Sequence, residues 1–311
     1  MPSITALKPL PDEAPVRQAA AAFASERAIG DGKVVRSTVT PSPAAGDPVL
    51  AIERVSLSFG GVVALADIDL EVAPREIRAV IGPNGAGKSS LLNVITGLYK
   101  PDRGRVWLDG KSFVQTPTAR LARLGIARTF QNLALFKGLS VHDNVVMGLS
   151  SEIRSGFLGQ IIGSPRARRE EQRHRAAADE IIAFLHLGEV VERPAGGLPY
   201  GIQKRVELAR ALVARPRVLL LDEPMAGMTL TEKRELTGFI RTARDTYGTA
   251  IVLIEHDIGV VMGLSDRVAV LDYGRKIADG KPDEIRANQE VIDAYLGVAH
   301  DEEAGAAADG F

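Results

Sequence analysis

Hydrophobic and polar positions change period along the chain, and the period predicts where its strands and helices lie. Residues 50–59, LAIERVSLSF, alternate as the residues of a half-buried strand do. Residues 87–98, GKSSLLNVITGL, carry apolar side chains at the spacing of an amphipathic helix. Strands are predicted at 50–59, 68–74, 75–82, 104–110, 126–130, 218–224 and 249–256, with a hairpin over 268–280. Helices are predicted at 87–98, 116–125, 231–248 and 282–296, and another begins after Tyr200.

The stretch from Leu139 to Leu187 differs in character, because its pattern is helical and it is strongly charged. It contains SPRARREEQRHRAAADEIIAFL, residues 164–185. Strands that alternate with helices elsewhere predict a largely parallel α/β sheet, and this insert predicts a helical subdomain.

Both ends of the chain lack a sustained strand or helix period. Residues 1–48 are rich in Ala, Pro, Ser and Thr, and we expect a flexible extension there. Residues 298–311 are acidic and rich in small side chains, and we expect a flexible tail. Neither end indicates a function.

Composition narrows the class of protein. The 311 residues are 45% hydrophobic and 25% charged, which is ordinary for a globular chain with a sizeable core. The net charge of −1 gives no basic field, so we expect no nucleic-acid partner, and the absence of Cys excludes disulfides and thiolate metal sites. No run approaches the roughly 18 apolar residues of a membrane span, and the start lacks the pattern of a secretory signal. We therefore expect a cytosolic chain that reaches a membrane only through a partner.

Residues 82–90, GPNGAGKSS, fit the phosphate-loop pattern G-x-x-x-x-G-K-[ST] and lie between a predicted strand and a predicted helix. The glycines let backbone N–H groups face a β-phosphate, while the Lys88 ammonium reaches the β- and γ-phosphate oxygens. The Ser89 hydroxyl is a candidate ligand of Mg²⁺. A glycine-rich turn that binds nothing is the alternative, and the full match with correct flanks argues against it. The expected nucleotide contacts here are Gly82, Pro83, Asn84, Gly85, Ala86, Gly87, Lys88, Ser89 and Ser90.

Asp222 and Glu223 follow four apolar residues in VLLLDE, a run typical of a buried parallel strand. The two carboxylates are expected to emerge beside the phosphate loop. One carboxylate holds Mg²⁺ through water, and the other orients and deprotonates an attacking water. Alone, the pair is equally consistent with a solvated strand end. Together with the phosphate loop, it favours a catalytic metal site.

Taken together, these residues resemble the ATP-binding subunit of an ABC transporter, over about residues 50–297. The resemblance implies an α/β fold: a P-loop NTPase core of the ABC ATPase type, with an N-terminal antiparallel β subdomain and an inserted α-helical subdomain. It places the ATPase domain at 49–297 and the helical subdomain at about 132–205. ATP and Mg²⁺ are the implied cofactors.

The resemblance also implies roles for single residues. Phe59, in LSFGG, matches the aromatic ring on which adenine stacks, with a core strand residue as the alternative. Gln131, in RTFQN, matches the glutamine that contacts Mg²⁺ and the attacking water, with an ordinary loop glutamine as the alternative. His256, in LIEHD, matches the histidine that contacts the γ-phosphate. Glu223 matches the residue that activates water.

GLPYGIQKR, residues 197–205, corresponds to the family's signature element, which is L-S-G-G-Q in most relatives. Pro199 stands at the serine position and offers neither a hydroxyl nor an N–H, and Ile202 replaces the glutamine. Tyr200 and Gly201 are implied to close over the ATP of a second subunit, with a capped structural helix as the alternative. Thr229 stands at the position where relatives often carry Asp.

The implied function is ATP hydrolysis between two subunits closed head to tail, which moves a membrane partner. Within the superfamily the chain most resembles ATPases of branched-chain amino-acid uptake, through GIARTFQN, the xYG signature, DEPMAGM, IEHD and VIDAYLG. Similar ATPases import urea, short amides or aromatic acids, or extract lipopolysaccharide. The implied partners are permease subunits, a second ATPase subunit (a heterodimer rather than a homodimer) and, indirectly, a periplasmic substrate-binding protein. The chain would then lie on the cytoplasmic face of the inner membrane.

Other classes of protein fit less well. A non-transport ABC ATPase of translation or DNA repair usually has two cassettes or a long coiled-coil insertion, whereas this chain has one phosphate loop. A P-loop kinase or GTPase would lack the signature and the histidine, and no guanine-specifying N-K-x-D is present. A nucleotide-binding module without turnover is disfavoured by the set Lys88, Asp222, Glu223 and His256.

Overall fold

The computed structural model describes residues 47–129, 133–152 and 164–296. The first of its two sheets is antiparallel, with strand order β2-β1-β4-β5. Its strands are β1 (Leu50–Phe59), β2 (Val62–Val72), β4 (Arg103–Leu108) and β5 (Lys111–Phe113). In β1, Leu50, Ile52, Val55 and Leu57 are buried, so the alternation that the sequence predicts is interrupted once, at the register shift between Ile52 and Val55.

The second sheet has six strands in the order β10-β9-β3-β8-β7-β6. The strands β9, β3, β8, β7 and β6 run parallel, and β10 pairs antiparallel with β9. Their bounds are β3 (Ile77–Ile81), β6 (Ile126–Arg128), β7 (Val218–Asp222), β8 (Ala250–Ile254), β9 (Arg267–Asp272) and β10 (Arg275–Gly280). Every residue of β3, β7 and β8 is buried, so their carboxyl ends meet at one edge of a sheet covered on both faces.

Eight α-helices accompany the sheets within the described ranges. They are α1 (Lys88–Ile95), α2 (Val141–Val146), α3 (Pro165–Phe184), α4 (Tyr200–Leu212), α5 (Leu230–Tyr247), α6 (Ile258–Leu264), α7 (Pro282–Arg286) and α8 (Gln289–Leu296). Short 3₁₀ turns occur at 118–120, 122–124, 147–152, 188–190 and 195–197. In the part of the chain that the structure describes, no helix is both long and apolar enough to cross a bilayer.

Hydrophobic residues pack in three clusters around the six-stranded sheet. One cluster joins the four helices α2 to α5 to one face of the sheet. A second joins the antiparallel sheet and α1 to the other face, and a third lies between β3, β9 and the helices α6 to α8. The α1 helix and the strand ends around it are thereby fixed by apolar packing.

Two predicted helices differ from the structure. The helix predicted over 116–125 is wrong, because the segment forms two 3₁₀ turns whose residues are not buried, and it ends at Gly125 in the left-handed region. Only Leu121 and Leu124 of this segment pack, partly buried, against the hydrophobic core, which is too little apolar burial to stabilise a longer helix. The helix predicted over 282–296 is two helices, since the Asn288 side chain accepts a hydrogen bond from the Val291 amide and starts α8.

Some expectations fall on residues that the structure does not describe. The extension over 1–48 lies outside the described residues apart from 47 and 48, and so does the tail over 298–311. We keep the boundaries of the ATPase domain, 49–297, and of its helical subdomain, about 132–205, as a proposal.

Candidate nucleotide-binding site

The phosphate loop connects the buried strand β3 to α1, as its sequence flanks predict. Gly82, Gly85 and Gly87 all have positive φ, at 147°, 83° and 101°. A Cβ on Gly82 would lie 2.0 Å from the Leu271 carbonyl oxygen, and one on Gly87 would lie 2.5 Å from the Ala64 carbonyl oxygen. Only glycine therefore fits at these two positions.

The amino end of α1 faces this loop without a side-chain cap. Gly87 is the N-cap residue, and its carbonyl accepts the first helical hydrogen bond from Leu91. The first amides of α1 are therefore left for another acceptor, which is the arrangement that binds phosphate groups at helix ends. Ser89 is exposed and Ser90 half-buried in this first turn.

Lys88 is only 6% exposed, and its ammonium donates to the carbonyl oxygens of Gly82 (2.7 Å) and Pro83 (2.8 Å). Burial lowers the pKa of Lys88, while the negative charges of Glu223 and Asp222 act in the opposite direction. The lysine thus lies folded back on its own loop and close to both carboxylates.

The two carboxylates follow β7, two strands away from β3 in the sheet. Asp222 pairs in register with Ile254, and Ile254 pairs with Val80, the residue before the last of β3. Asp222 is 4% exposed, and Glu223 has a φ of 48°, which is unusual for a residue with a side chain. The end of β7 therefore places the Asp222 carboxylate inside the protein, and the positive φ of Glu223 changes the direction of the chain at the second carboxylate.

Glu223 and His256 contact each other across the edge of the sheet. His256 follows β8, and its Nε2 lies 2.7 Å from Oε1 of Glu223. An ionised carboxylate only accepts hydrogen bonds, so the imidazole Nε2 is the donor in this pair. The contact brings together two residues that the sequence predicts at one site.

Sequence reasoning did not find the partner of Asp222. Arg128, at the end of β6, donates from Nη2 to Asp222 Oδ2 at 2.9 Å and from Nη1 to Asn93 Oδ1 of α1 at 2.8 Å. A charged residue that ends a short apolar strand was the available signal. Its partner lies 94 positions away, and no local pattern identifies it.

Glu255 was missed as well, although it precedes His256 directly. It is 4% exposed, and its oxygens accept from the amides of Met225 (2.8 Å) and His256 (3.2 Å). Burial raises the pKa of Glu255, and these hydrogen bonds offset part of the rise. The side chain thereby joins the segment after Glu223 to the end of β8.

Phe59 is 46% exposed at the end of β1, so the interpretation of this residue as a core side chain is wrong. Its ring packs edge-on against Tyr99, with 5.1 Å between the ring centres. Tyr99, which the sequence analysis did not single out, extends the exposed aromatic surface. Gln131 lies outside the described residues.

The signature element begins α4, and Pro199 is the N-cap residue. Tyr200 is exposed, whereas Gly201 is buried against α5, where a Cβ would lie 2.1 Å from Glu232 Oε1. Thr229 caps α5, because its hydroxyl oxygen accepts from the Glu232 amide; in return its hydroxyl and amide both donate to Glu232 Oε2 at 2.8 Å. Thr229, which stands where relatives often carry Asp, therefore fixes the Glu232 carboxylate, and Gly201 packs against that carboxylate.

Protein-family models match most of the described chain. The model described as "ABC transporter" matches residues 65–226. The model described as "Branched-chain amino acid ATP-binding cassette transporter" matches residues 275–301.

Curated proteins give the same result over a longer range. The high-affinity branched-chain amino acid transport ATP-binding protein BraF of Pseudomonas aeruginosa is 38% identical over 252 residues, which are 81% of this chain and 99% of that protein. LivG of Salmonella typhimurium, which carries the same description, is 40% identical with the same coverage.

Solved structures agree with the fold. A nucleotide-free ATP-binding cassette from an ABC transporter matches with a TM-score of 0.69 and 30% identity, over 80% of this chain and 98% of that one. A cassette in its ADP conformation matches with a TM-score of 0.70 and 30% identity, over 80% and 99%. The predicted α/β fold of the ABC ATPase type is thereby confirmed. Because the family model covers more than half of the chain and the relatives align over nearly their whole length, the chain belongs to the ABC transporter ATP-binding proteins and is an ATPase.

Proposed function

We propose that this chain hydrolyses ATP to drive a membrane importer of branched-chain amino acids or a related small polar solute. The contact between Glu223 and His256, beside the phosphate loop and Asp222, carries the catalytic part of the proposal. The cargo is supported by the match over residues 275–301 and by the descriptions of the relatives.

The loop residues 82–90 bind the phosphates of ATP, with their amides and the amino end of α1 as donors. Lys88 leaves its two loop carbonyls and turns to the β- and γ-phosphate oxygens, which are stronger acceptors because they are charged. The exposed ring of Phe59 stacks on adenine.

Mg²⁺ fits the donor atoms that the site offers. Asp222 and Ser89 supply oxygen atoms, which this hard cation prefers, and Gln131 is the further ligand implied by the family resemblance. The Arg128 guanidinium pairs with Asp222 at 2.9 Å and gives this buried carboxylate a counter-charge. When bound, Mg²⁺ neutralises charge on the transferred phosphoryl group.

Glu223 acts as the general base and removes a proton from the attacking water. Without ATP, the His256 Nε2 N–H contacts the Glu223 carboxylate, and once ATP is bound the same N–H turns to the γ-phosphate. Both roles use side chains that follow neighbouring strands, so the sheet itself sets their separation.

Two such sites form when two ATPase subunits close head to tail. Tyr200 and Gly201 then face the ATP of the other subunit, with the amides of α4 as donors where Pro199 offers none. The relatives are ATP-binding subunits of transporters, which implies permease partners. We propose a heterodimer with a second ATPase subunit, on the cytoplasmic face of the membrane, and a periplasmic substrate-binding protein that delivers the cargo.

Affinity purification of the tagged full chain from membranes tests this assignment. We expect permease subunits and a second ATPase subunit in the purified complex, identified by mass spectrometry. Recovery with ribosomes or DNA would overturn the transport function. Recovery of permeases without a second type of ATPase subunit would overturn the heterodimer only.

A further inference from the structure

Arg128 connects three elements of the site through its guanidinium. It lies at the end of β6, next to β7, and Nη2 donates to Asp222 Oδ2 at 2.9 Å. Nη1 donates to Asn93 Oδ1 at 2.8 Å and to Thr96 Oγ1 at 3.3 Å, at the carboxyl end of α1. The side chains of Arg128 and Asp222 are 10% and 6% exposed.

The geometry of this contact suits arginine and no other cation. A planar guanidinium holds two acceptors in fixed directions, whereas the lysine ammonium is a point charge on a flexible stem. Arg128 supplies the buried Asp222 carboxylate with both a counter-charge and a fixed direction for Oδ2. The same guanidinium binds the helix that begins with Lys88 and Ser89.

We propose that Arg128 is a positioning residue for the metal that accompanies ATP: it fixes Asp222 and ties this carboxylate to α1. The inference rests on the proposed Mg²⁺ site and deepens it. Arg128 binds Oδ2, so Oδ1 is the oxygen that this contact leaves for the metal and its water. If Arg128 acted only through its positive charge, it would weaken metal binding, since a guanidinium near a divalent cation repels it.

Binding of Mn²⁺, followed by electron paramagnetic resonance with a non-hydrolysable ATP analogue, tests the proposal on the purified full chain. In Arg128→Lys we expect the Mn²⁺ concentration at half-saturation to rise about tenfold, and in Arg128→Met by roughly ten- to a hundredfold, the range for one hydrogen bond to a charged group. In excess EDTA, which removes the metal, the dissociation constant of a fluorescent ATP analogue is expected to stay within about twofold of the wild-type value.

A matched control is available on the same sheet. Arg78, on β3, is a buried arginine that pairs with Asp279 at 2.8 Å. Arg78→Lys is expected to lower the thermal unfolding midpoint and to leave the Mn²⁺ half-saturation unchanged. This control therefore distinguishes a general loss of stability from the expected rise in the Mn²⁺ half-saturation.

The variant Asp222→Asn separates this inference from the proposed function. If Asp222→Asn leaves Mn²⁺ binding unchanged, the proposed metal site fails. If it weakens Mn²⁺ binding but the Arg128 variants do not, the positioning role fails and the metal site stands. If Arg128→Lys raises the Mn²⁺ half-saturation further in the Asp222→Asn background, Arg128 does not act through Asp222 and the positioning role fails. Tighter Mn²⁺ binding in the Arg128 variants also contradicts that role.

Asn93→Ala keeps the proposal testable if Arg128→Met does not fold. It removes the acceptor on α1 and leaves the contact between Arg128 and Asp222 in place. We expect a rise of about threefold in the Mn²⁺ half-saturation, smaller than for Arg128→Lys. If the Mn²⁺ half-saturation rises in neither Asn93→Ala nor Arg128→Lys, the proposal is contradicted.

Discussion

Replacing Glu223 by Gln removes the proposed general base with little change in shape. A positioned general base contributes about 10²–10⁴ in rate, which corresponds to roughly 2.7–5.5 kcal/mol of activation free energy. We expect the turnover number to fall by this factor. The expected loss concerns only the chemical step, because the glutamine oxygen still accepts from His256 Nε2.

The backbone at this position does not distinguish the two side chains. Both Glu and Gln are unbranched at Cβ and bear the φ of 48° at similar cost, and the hydrogen bond from the residue 223 amide to the Ile254 carbonyl remains. Removal of one negative charge near the phosphates lessens repulsion. The dissociation constant for ATP is therefore expected to stay equal or fall.

Phosphate release under saturating ATP measures the turnover, and titration with a fluorescent ATP analogue measures binding. Glu255→Gln is the matched control, because the Glu255 oxygens are occupied by the Met225 and His256 amides. We expect a loss of stability of about 1–3 kcal/mol there, since the amide group replaces one acceptor by a donor. Equal turnover in Glu223→Gln and wild type would refute the role of Glu223 as the general base. An equal fall in turnover in Glu223→Gln and Glu255→Gln would show that the loss is not specific to Glu223.

Further predictions follow from the same contacts. Lys88→Ala is expected to weaken binding of a fluorescent ATP analogue at least tenfold, because a charge-assisted contact to phosphate is lost, and unchanged affinity would contradict the assignment. Pro199→Ser adds a hydroxyl at the signature and is expected to change the ATPase rate or ATP-driven dimerisation by about ten- to a hundredfold, whereas no change would favour a merely structural helix start. Thr229→Val removes the cap of α5 and is expected to lower the free energy of unfolding by about 0.5–2 kcal/mol in denaturant unfolding, whereas Thr229→Ser keeps the hydroxyl and most of this free energy; equal losses in both variants would show that the hydroxyl is not the cap.

The phosphate loop could be predicted from sequence because its requirements are local. Gly82 and Gly87 have positive φ, which glycine adopts without strain, so the motif and the local backbone specify each other. The run before Asp222 likewise predicts a buried strand, and the structure has one. These features depend on neighbours in the chain.

What the sequence did not predict depends on contacts between distant segments. Arg128 meets Asp222 and α1 only after β6 and β7 pair, and Tyr99 meets Phe59 only after β1 folds against the segment that follows α1. The segment 116–125 has helical spacing, but only Leu121 and Leu124 pack, partly buried, against the core, so propensity alone does not make it a helix. Asn288 divides the last helix by a side-chain cap that competes with the continuous pattern.

Uptake of labelled leucine by the purified complex tests the central claim most directly. The complex would be reconstituted in proteoliposomes loaded with ATP and Mg²⁺, with the substrate-binding protein outside. We predict leucine uptake that needs internal ATP and disappears when this chain carries Glu223→Gln. ATP-dependent uptake of urea but not leucine would contradict the proposed cargo, and leucine uptake that is equal with and without ATP would contradict the account as a whole.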